Sequence, residues 1–465
     1  MPDWGRTFLD HANQTVKIVF FSHYFTPEGN APASRTHDHC ARWAAAGHEV
    51  TVITCAPNVP NGEVYEGYSN GLWPVRETID GIEVVRVWTR IRPKPGKKDL
   101  ILNFLSYMFS ALFAFVFFVR RPNVIVATSP QFFCGVAGVL ASWLKWRPLV
   151  LEIRDIWPES ILTVGAMGRS PIIRALEVIE RWMYRNASHI VAVGSGYRTN
   201  IMKKVGLGDR ISVITNGVDP EQFTPEERCL DIVETYGLQG KFICSYVGTV
   251  GLAHGLDIVV RTAERLRDAG RDDVVFMVVG GGAKLSSLRE TVSELRLDDF
   301  IVMTGHLDKP QMPKVLATSD ACLVHLSNVA LFATVIPSKI FETMAMERPI
   351  IMGVKGPARD IVMMAGGGVA VEPEDDAELF NAVLRLAEDP ELARAMGSDA
   401  RRFALKHFDR NDLAATYLTL LREVASGQPV TTVVADLPAI GPEERRSKSS
   451  SSAGVAAKTQ AEQVG

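Results

Sequence analysis

Short apolar segments alternate with helical segments along most of this chain, and that alternation constrains the fold more than any other feature. Buried parallel strands are short and almost uniformly apolar, because helices cover both faces of such a sheet. Six segments of this kind are predicted as strands in the first half, at residues 16–23, 50–55, 123–129, 149–155, 189–195 and 211–217. Helices are predicted between some of them, at residues 34–46, 132–145 and 172–185.

The same alternation starts again in the second half. Strands are predicted there at residues 242–249, 274–282, 300–305, 321–326 and 349–354, and two or three helices within 375–425. With 465 residues, the chain is long enough for two domains. The sequence therefore predicts an α/β protein with two doubly wound, Rossmann-like parallel-sheet domains facing a cleft.

The boundaries of these domains follow from the same pattern. We expect an N-terminal extension at 1–15, an N-terminal domain at 16–215, a C-terminal domain at 216–408, a terminal helix at 409–427 and a tail at 428–465. The terminal helix is predicted to pack back on the N-terminal domain. The tail contains few large apolar side chains, so it is predicted to be disordered.

Composition and missing motifs exclude several classes of protein. A net charge of −3 disfavours a nucleic-acid binder held by bulk charge. The six cysteines are dispersed without a CxxC pair, which argues against a disulfide framework or structural zinc and favours a reducing compartment. The chain has no phosphate-loop GxxxxGK[ST], no GxSxG, no HExxH and no Asp-x-Asp, and no GxGxxG after the first strand. With no secretory signal in the first 15 residues, we expect a cytoplasmic protein.

Residues 100–119 form an uncharged apolar segment of 20 residues, long enough to cross a bilayer as a helix. A crossing would separate strands 16–23 and 50–55 from strand 123–129, which should share one sheet. Its basic flanks and a polar seam indicate a helix that packs on the domain and lies in the plane of a membrane. The flanking cations are Arg90, Arg92, Lys94, Lys97, Lys98, Arg120 and Arg121, and the seam is Asn103, Ser106, Tyr107 and Ser110. The alternative is an unusually apolar core or dimer helix.

Three glycine-centred turns follow predicted strands, where ligands bind in open α/β sheets. The turns contain Gly29 and Asn30 with Arg35 close by, then Gly248, Thr249, Gly251, His254 and Gly255, and then Gly280, Gly281 and Gly282. Glycines let the backbone approach a ligand closely, and amides at a helix start attract anions. Each turn has a purely structural alternative, either a tight turn or close contact with another segment.

A fourth segment, Pro337-Ser338-Lys339 followed by Glu342, is the most specific. Proline, serine and lysine at a helix start suit phosphate binding, and Glu342 lies one turn further along on the same face. A carboxylate there can accept hydrogen bonds from a ribose diol. The alternative is a surface pair between Lys339 and Glu342.

With these residues the chain resembles the retaining glycosyltransferases of family 4, which have the two-domain GT-B fold. It is most similar to a bacterial subgroup that includes O-antigen N-acetylfucosamine transferases. The markers are residues 29–32, 154–160, 216–219, 248–257 and 337–342. The resemblance implies a nucleotide-sugar donor in the C-terminal domain, an acceptor on the N-terminal domain, no obligatory metal and no cofactor besides the donor substrate.

Carried over residue by residue, the resemblance assigns Glu342 to the ribose, as the second glutamate of the family's E-x7-E pair. The first glutamate falls at Thr334, and the family's basic phosphate ligands fall at Thr249 and His254. We therefore expect Lys339 to supply the missing charge. With the three C-terminal segments above, Asn216 and Thr334 complete the predicted donor-binding set.

Residues 154–160, which follow a predicted strand, are the best candidates to meet the acceptor. Asp155 or Glu159 could bind and help deprotonate an acceptor hydroxyl. Arg154 and Trp157 suit sugar recognition, together with Gly29, Asn30 and Arg35. The alternative is a helix cap beside a buried Trp157.

The expected function is transfer, with retention, of a hexose or N-acetylhexosamine from a nucleotide diphosphate sugar, with UDP favoured. The expected acceptor is a saccharide hydroxyl, carried on a polyprenyl lipid at the cytoplasmic face of the membrane, in surface polysaccharide (O-antigen or exopolysaccharide) biosynthesis. Alternatives are a non-catalytic membrane-associated scaffold, or an epimerase or phosphorylase of the same fold.

Overall fold

The computed structural model describes residues 15–93, 96–163 and 170–435. These residues form two sheets, and each belongs to one domain. The N-terminal sheet contains β1 Lys17–Phe21, β2 Glu49–Cys55, β3 Val75–Ile79, β4 Ile82–Val87, β5 Val124–Thr128, β6 Leu149–Ile153, β7 His189–Ala192, β8 Ile211–Ile214 and β15 Val434–Ala435. The C-terminal sheet contains β9 Phe242–Val247, β10 Val274–Val279, β11 Ile301–Gly305, β12 Ala321–His325, β13 Ile350–Gly353 and β14 Gly368–Ala370.

The strand orders confirm the predicted fold class. The N-terminal sheet runs β15-β8-β7-β6-β5-β1-β2-β4-β3 and the C-terminal sheet β11-β10-β9-β12-β13-β14. Pairing is parallel throughout both sheets as described, apart from the antiparallel hairpin of β3 and β4. The order reverses between β1 and β5 in the first sheet, and between β9 and β12 in the second. Crevices that bind ligands form outside the carboxyl ends of strands at such reversals.

Helices cover both sheets. Those of the N-terminal half are Ala31–Ala45, Lys97–Phe117, Phe132–Lys145, Glu159–Thr163, Pro171–Asn186 and Ser195–Val205. Those of the C-terminal half are Leu230–Thr235, Asp257–Asp268, Leu285–Glu294, Met312–Thr318, Lys339–Ala345, Pro357–Ala365, Asp376–Glu388, Pro390–His407 and Arg410–Ser426. Short 3₁₀ turns occur at Gly208–Arg210, Leu252–His254, Lys309–Gln311 and Phe332–Thr334.

The helix Arg410–Ser426 packs on the N-terminal domain. Its Tyr417 ring meets Trp43 edge to face, with ring centroids 5.2 Å apart. The Trp43 indole donates a hydrogen bond of 2.9 Å to the Ala414 carbonyl. Apolar residues of this helix belong to the same buried cluster as strand residues such as Phe20, so the end of the chain completes the first domain.

Two sequence predictions need correction. The chain is not disordered from residue 428 onward, because Val434 pairs with Val213 of β8 and adds a short edge strand. The rest of the predicted tail, 436–465, and residues 1–14 of the predicted extension lie outside the described residues. The hairpin of β3 and β4 has no counterpart among the predicted strands.

The apolar helix Lys97–Phe117 packs on the N-terminal sheet through the predicted polar seam. Ser106 Oγ accepts a hydrogen bond from the Arg90 amide, Asn103 donates to the Arg90 carbonyl, and Tyr107 donates to the Ile53 carbonyl. By length and composition this helix could cross a bilayer, yet a third of its apolar window is buried in the domain. Because β1 pairs with both β2 and β5, the helix connects strands of one sheet and cannot separate them across a membrane.

Candidate functional site

The predicted donor residues of the C-terminal domain gather where the strand order of its sheet reverses. The turn after β9, the turn after β10 and the start of the helix Lys339–Ala345 meet there. The site faces the N-terminal domain across a short gap, since Lys309 Nζ donates a hydrogen bond of 3.0 Å to Ser34 Oγ. It therefore lies between the two domains.

The glycines of the two turns allow one turn to lie directly against the other. A Cβ atom on Gly280 would overlap the Gly248 carbonyl oxygen, and one on Gly282 would overlap the Val250 carbonyl oxygen. Hydrogen bonds of 2.8 Å from the Gly248 amide to the Val279 carbonyl and from the Val250 amide to the Gly281 carbonyl join the turns. Gly280 and Gly282 thus permit close contact between the two turns, which is the structural alternative considered for this segment, and their contact with the donor stays a prediction.

Lys339 has a buried amine that forms no ion pair with any residue that the structure describes. Its Nζ lies 3.9 Å from the centroid of the Tyr246 ring, is sealed from solvent, and has no hydrogen bond or ion pair within the described residues. Burial lowers the pKa of Lys339 to about 7. A Cβ atom on Gly248 would come within 2.9 Å of Nζ, so this glycine leaves room beside the amine. A buried unpaired charge is costly, which makes this amine a strong candidate to receive an anionic ligand.

The residues that replace the family's basic phosphate ligands carry no charge here. His254 Nδ1 is buried without a hydrogen-bond partner, and burial, with Lys339 nearby, lowers the pKa of His254 to about 4. Thr249 is exposed, and its carbonyl accepts a hydrogen bond of 2.7 Å from the Tyr246 hydroxyl. Gly251 and Gly255 lie in the same turn, and Gly255 has a φ of +56°. Lys339 is therefore the cationic side chain among the predicted donor residues.

Glu342 lies at the junction of the domains. Its Oε1 is 3.7 Å from a terminal nitrogen of Arg410, whose other terminal nitrogen lies 2.8 Å from Asp38 Oδ2. Burial raises the pKa of Glu342, and the positive charges of Arg410 and Lys309 oppose that shift. Glu342 is thus not paired with Lys339 on an exposed helix surface, which removes the alternative considered for this segment.

The remaining predicted donor residues lie in different surroundings. Ser338 precedes the helix and its side chain makes no capping hydrogen bond. Thr334 donates to the Leu331 carbonyl and packs close to Gly196 of the N-terminal domain, so it belongs to the interface of the domains. Asn216 Oδ1 accepts a hydrogen bond of 3.2 Å from Arg35 of the N-terminal domain, and its contact with the donor stays a prediction. Gly281 has open space around it apart from a distant contact with His306.

Arg35 and Arg154 were predicted to bind the acceptor, and in the structure both side chains are already bonded to other parts of the N-terminal domain. Arg35 is buried and donates to Glu152 and to the carbonyls of Ile214 and Thr215. Arg154 donates to the carbonyls of Ala31 and Pro32, where it clamps the start of the helix Ala31–Ala45. Their guanidinium groups are occupied in holding β6, β8 and this helix together.

Asp155 and Glu159 differ in their surroundings. Glu159 forms an ion pair of 2.9 Å with Lys204 and accepts a hydrogen bond from Asn200, so its carboxylate already has structural partners and its catalytic role stays a prediction. Burial raises the pKa of Asp155, and hydrogen bonds from Ser160, the Ile156 amide and Trp157 limit the rise. A carboxylate with a raised pKa in a crevice is a candidate general base.

The other predicted acceptor residues lie around the same edge of the N-terminal sheet. Trp157 lines a crevice with Asp155 and stacks on Phe132, with ring centroids 6.3 Å apart. Gly29 is exposed with open space around its Cα. Asn30 caps the helix Ala31–Ala45, because its Oδ1 accepts a hydrogen bond of 2.9 Å from the Ala33 amide, so its side-chain oxygen already has a structural partner.

Sequence reasoning missed Tyr246, Lys309 and Arg410. Tyr246 gave no signal because an aromatic residue in a buried strand is ordinary. Lys309 and Arg410 come close to Glu342 only when the domains and the last helix pack together. Among the described residues, no group of three His, Cys, Asp or Glu side chains could hold a metal ion.

Two family descriptions match the chain. Residues 30–217 match the "Glycosyl transferase 4-like domain", and residues 233–403 match "Glycosyl transferases group 1". These matches define a glycosyltransferase, and the fold is of the GT-B type. The chain belongs to the glycosyltransferases that join a 4-like N-terminal domain to a group 1 C-terminal domain.

Similar proteins come from several sources. The putative colanic acid biosynthesis glycosyl transferase WcaI of Escherichia coli (strain K12) is 24% identical over 424 residues, covering 88% of this chain and 100% of that one. A GDP-mannose-dependent alpha-(1-6)-phosphatidylinositol monomannoside mannosyltransferase of Mycolicibacterium smegmatis is 25% identical, over 51% of this chain and 63% of that one. The Anabaena protein HepE, solved with UDP and glucose, superposes with a TM-score of 0.65 at 17% identity, covering 87% and 98% of the two chains.

Proposed function

We propose that this chain transfers a hexose or N-acetylhexosamine from a nucleotide diphosphate sugar, with UDP as the nucleotide, to a saccharide hydroxyl with retention. The observation that carries the proposal is the buried Lys339 amine, which pairs with no anionic group in the described part of the chain. It lies beside a glycine turn at the reversal of the strand order, where this fold binds ligands. The structure of HepE in complex with UDP supports the choice of UDP as the nucleotide. The similar mannosyltransferase is named for GDP-mannose, so GDP is the competing nucleotide.

The donor diphosphate would lie against Lys339 and the turn of Gly248 to Gly255. Because Thr249 and His254 contribute no positive charge, the Lys339 ammonium and the amide dipoles of the turn stabilise the charge that develops on the leaving diphosphate. No metal ion takes part in this scheme. Glu342 would accept hydrogen bonds from the ribose diol, as the matching glutamate does in the family.

The acceptor would enter along the N-terminal side of the cleft, between the Gly29 turn and the Asp155 crevice. Asp155 would bind the acceptor hydroxyl and take its proton, and Trp157 would stack on a sugar ring. We further propose that the acceptor is a polyprenyl-linked sugar of surface polysaccharide biosynthesis, which the enzyme meets as a peripheral protein at the cytoplasmic face. The likeness to a protein named for colanic acid biosynthesis supports this class of product.

A thermal-shift panel of the purified chain against UDP, GDP, ADP, dTDP and CMP tests the donor site. A ligand that binds only the folded state raises the melting temperature by mass action. We expect UDP to raise it and Glu342→Ala to abolish both that shift and sugar transfer, with little loss of unliganded stability. A shift by GDP alone would replace UDP in the proposal, and no shift with any nucleotide would favour a non-catalytic scaffold.

A further inference from the structure

A continuous apolar strip covers one side of the N-terminal domain, and three separate segments build it. The helix Lys97–Phe117 contributes Phe109, Phe113 and Phe117, the loop before β3 contributes Leu72 and Trp73, and the end of the next helix contributes Trp143, Leu144 and Trp146. Trp146 is 84% exposed, Trp73 71% and Phe117 70%. Monomeric soluble proteins rarely expose an apolar surface of this extent.

Direct contacts join the three segments into one surface. The Trp73 ring lies 6.2 Å from that of Phe113 and 6.4 Å from that of Phe118. Leu72, Phe109 and Phe113 line a shared groove of about 200 Å³. On the other side, Lys145 Nζ donates to the Phe115 carbonyl, so the second helix ends against the last turn of the first.

The strip runs from the cleft to the opposite edge of the domain. The helix connects the carboxyl end of β4, on the cleft side of the sheet, to the amino end of β5, on the opposite side. The first turn of the helix therefore lies on the cleft side. Leu100, Ile101 and Leu102 are each about two-fifths exposed at that end. At 1.5 Å per residue, 21 residues span roughly 30 Å, which is most of the depth of such a domain.

Positive charges mark both ends of the strip. Lys98 is exposed at the cleft end, and Arg120 and Arg121 are exposed at the other end, without an ion pair within the described residues. The chain as a whole carries −3, so this arrangement is local rather than a general excess of positive charge. Cations beside an apolar face attract anionic headgroups, and tryptophan side chains favour the interface of a bilayer.

A second copy of the chain fits this surface less well. If two strips packed on each other in parallel, like ends would meet, and if they packed antiparallel, Lys98 would meet Arg120 and Arg121. Either arrangement brings cations together at both ends of an apolar contact. The headgroups of an anionic bilayer complement the positive charges at both ends of the strip.

We infer that this strip lies in the headgroup and upper acyl region of an anionic bilayer, with its helix parallel to the membrane plane. The cleft then opens at the lipid surface, beside Leu100–Leu102. A lipid-linked acceptor can reach the cleft without leaving the membrane, although that last consequence rests on the function proposed above. The loop containing Trp73 inserts into the bilayer next to the helix. This contribution to membrane binding could not be predicted from residues 100–119 alone.

Co-sedimentation of the full chain with vesicles tests this surface. Vesicles of phosphatidylglycerol and phosphatidylethanolamine should bind the chain, and vesicles of phosphatidylcholine should bind it far less. The triple variant Trp73→Ser, Phe109→Ser, Phe117→Ser should lose affinity for the anionic vesicles roughly tenfold or more. Leu230→Ser is the matched control, since Leu230 is equally exposed on the C-terminal domain, and it should bind like the unmodified chain.

Two further measurements separate the possible results. The UDP-induced rise in melting temperature should be unchanged in the triple variant. An unchanged rise would show that the fold is intact, and it would distinguish a failure of this inference from a failure of the proposed donor site. Vesicle binding that survives the triple substitution would overturn the inference. So would a dimer of the unmodified chain that the triple variant converts to a monomer while vesicle binding is unaltered.

Discussion

The ammonium of Lys339 lies 3.9 Å from the centroid of the Tyr246 ring. The face of an aromatic ring attracts a cation but supplies no proton acceptor equivalent to a carboxylate. The ring therefore holds the amine in position without neutralising it. Below its pKa of about 7 the amine is therefore charged and available to a ligand, and this geometry underlies the first two predictions.

Replacing Lys339 with methionine should increase the stability of the protein and weaken its binding of nucleotide. Methionine keeps most of the volume and removes the buried charge, so the free energy of unfolding should rise by about 1 kcal/mol or more at neutral pH. Nucleotide affinity should fall roughly a hundredfold, because a charge-assisted contact with the diphosphate is lost. Chemical denaturation and calorimetric titration with UDP check the two effects. A variant that is less stable yet binds UDP normally would contradict the assignment.

The affinity for a UDP-sugar should depend on pH through Lys339. Its pKa is about 7 in the free protein, below the ordinary value for lysine, so the amine loses its proton as the pH rises through 7. Since the diphosphate binds the charged form, the dissociation constant should increase by about tenfold per pH unit above that point. His254, with a pKa of about 4, does not titrate in this range. Titration with UDP-glucose in buffers of different ionisation enthalpy should show proton uptake, which Lys339→Met should lack.

The same lowered pKa has a consequence for stability. The unfolded chain binds a proton at Lys339 up to a higher pH than the folded chain does, so the folded state is penalised at low pH. The penalty is complete below pH 7 and diminishes as the pH rises toward the ordinary lysine value. The stability gained in Lys339→Met should accordingly shrink between pH 7 and 10, as denaturation curves at several pH values would show.

Gly280→Ala should disable the donor site, and Gly281→Ala should not. A Cβ atom on Gly280, which has a φ of +143°, would overlap the Gly248 carbonyl and push the two turns apart. On Gly281, the nearest atom to such a Cβ is His306 Cβ at 3.9 Å. We expect loss of the UDP thermal shift in the first variant and retention in the second. Equal behaviour of the pair would show that contact between the turns does not matter for binding.

Arg35→Met should act on stability rather than on acceptor recognition. The substitution leaves the Glu152 carboxylate, which is inaccessible to solvent, without its partner at 3.3 Å. Breaking a buried pair in this way costs about 3 kcal/mol of unfolding free energy. Arg402→Met, at an exposed arginine, serves as the control and should change stability by less than about 0.5 kcal/mol. If Arg35→Met changed the KM for the acceptor at unaltered stability, the sequence-based role of Arg35 would be restored.

The buried parallel strands could be predicted from the sequence, because strands covered on both faces have few options beyond continuous apolar residues. Strand Phe242–Val247 and helix Phe132–Lys145 lie where the pattern places them. The hairpin of β3 and β4 was missed because β3 is mostly polar and forms the edge of the sheet. Its signal was Asp80-Gly81, a turn pair between two extended segments, with both residues at positive φ.

The site was less predictable than the fold. Lys339 and Glu342 were selected because they stand at a helix start, and the structure places Lys339 beside Gly248 and Glu342 at the junction of the domains. The structural partners of Arg35 and Arg154 could not be predicted, because a basic residue near a glycine turn has the same pattern whether it faces a ligand or bonds to backbone carbonyls. The ion pair of Glu159 could not be predicted either, since Lys204 lies on another helix.

The packing of the helix Arg410–Ser426 also determines the order in which the two domains complete their folding during synthesis. Trp43 is translated before the C-terminal domain, whereas Ala414, which accepts its hydrogen bond, follows 371 residues later. The C-terminal domain, whose core ends before Arg410, can complete its own packing first. The N-terminal domain thus finishes folding after the C-terminal domain, and a growing chain exposes one uncovered face of its first sheet until the helix Arg410–Ser426 has been made.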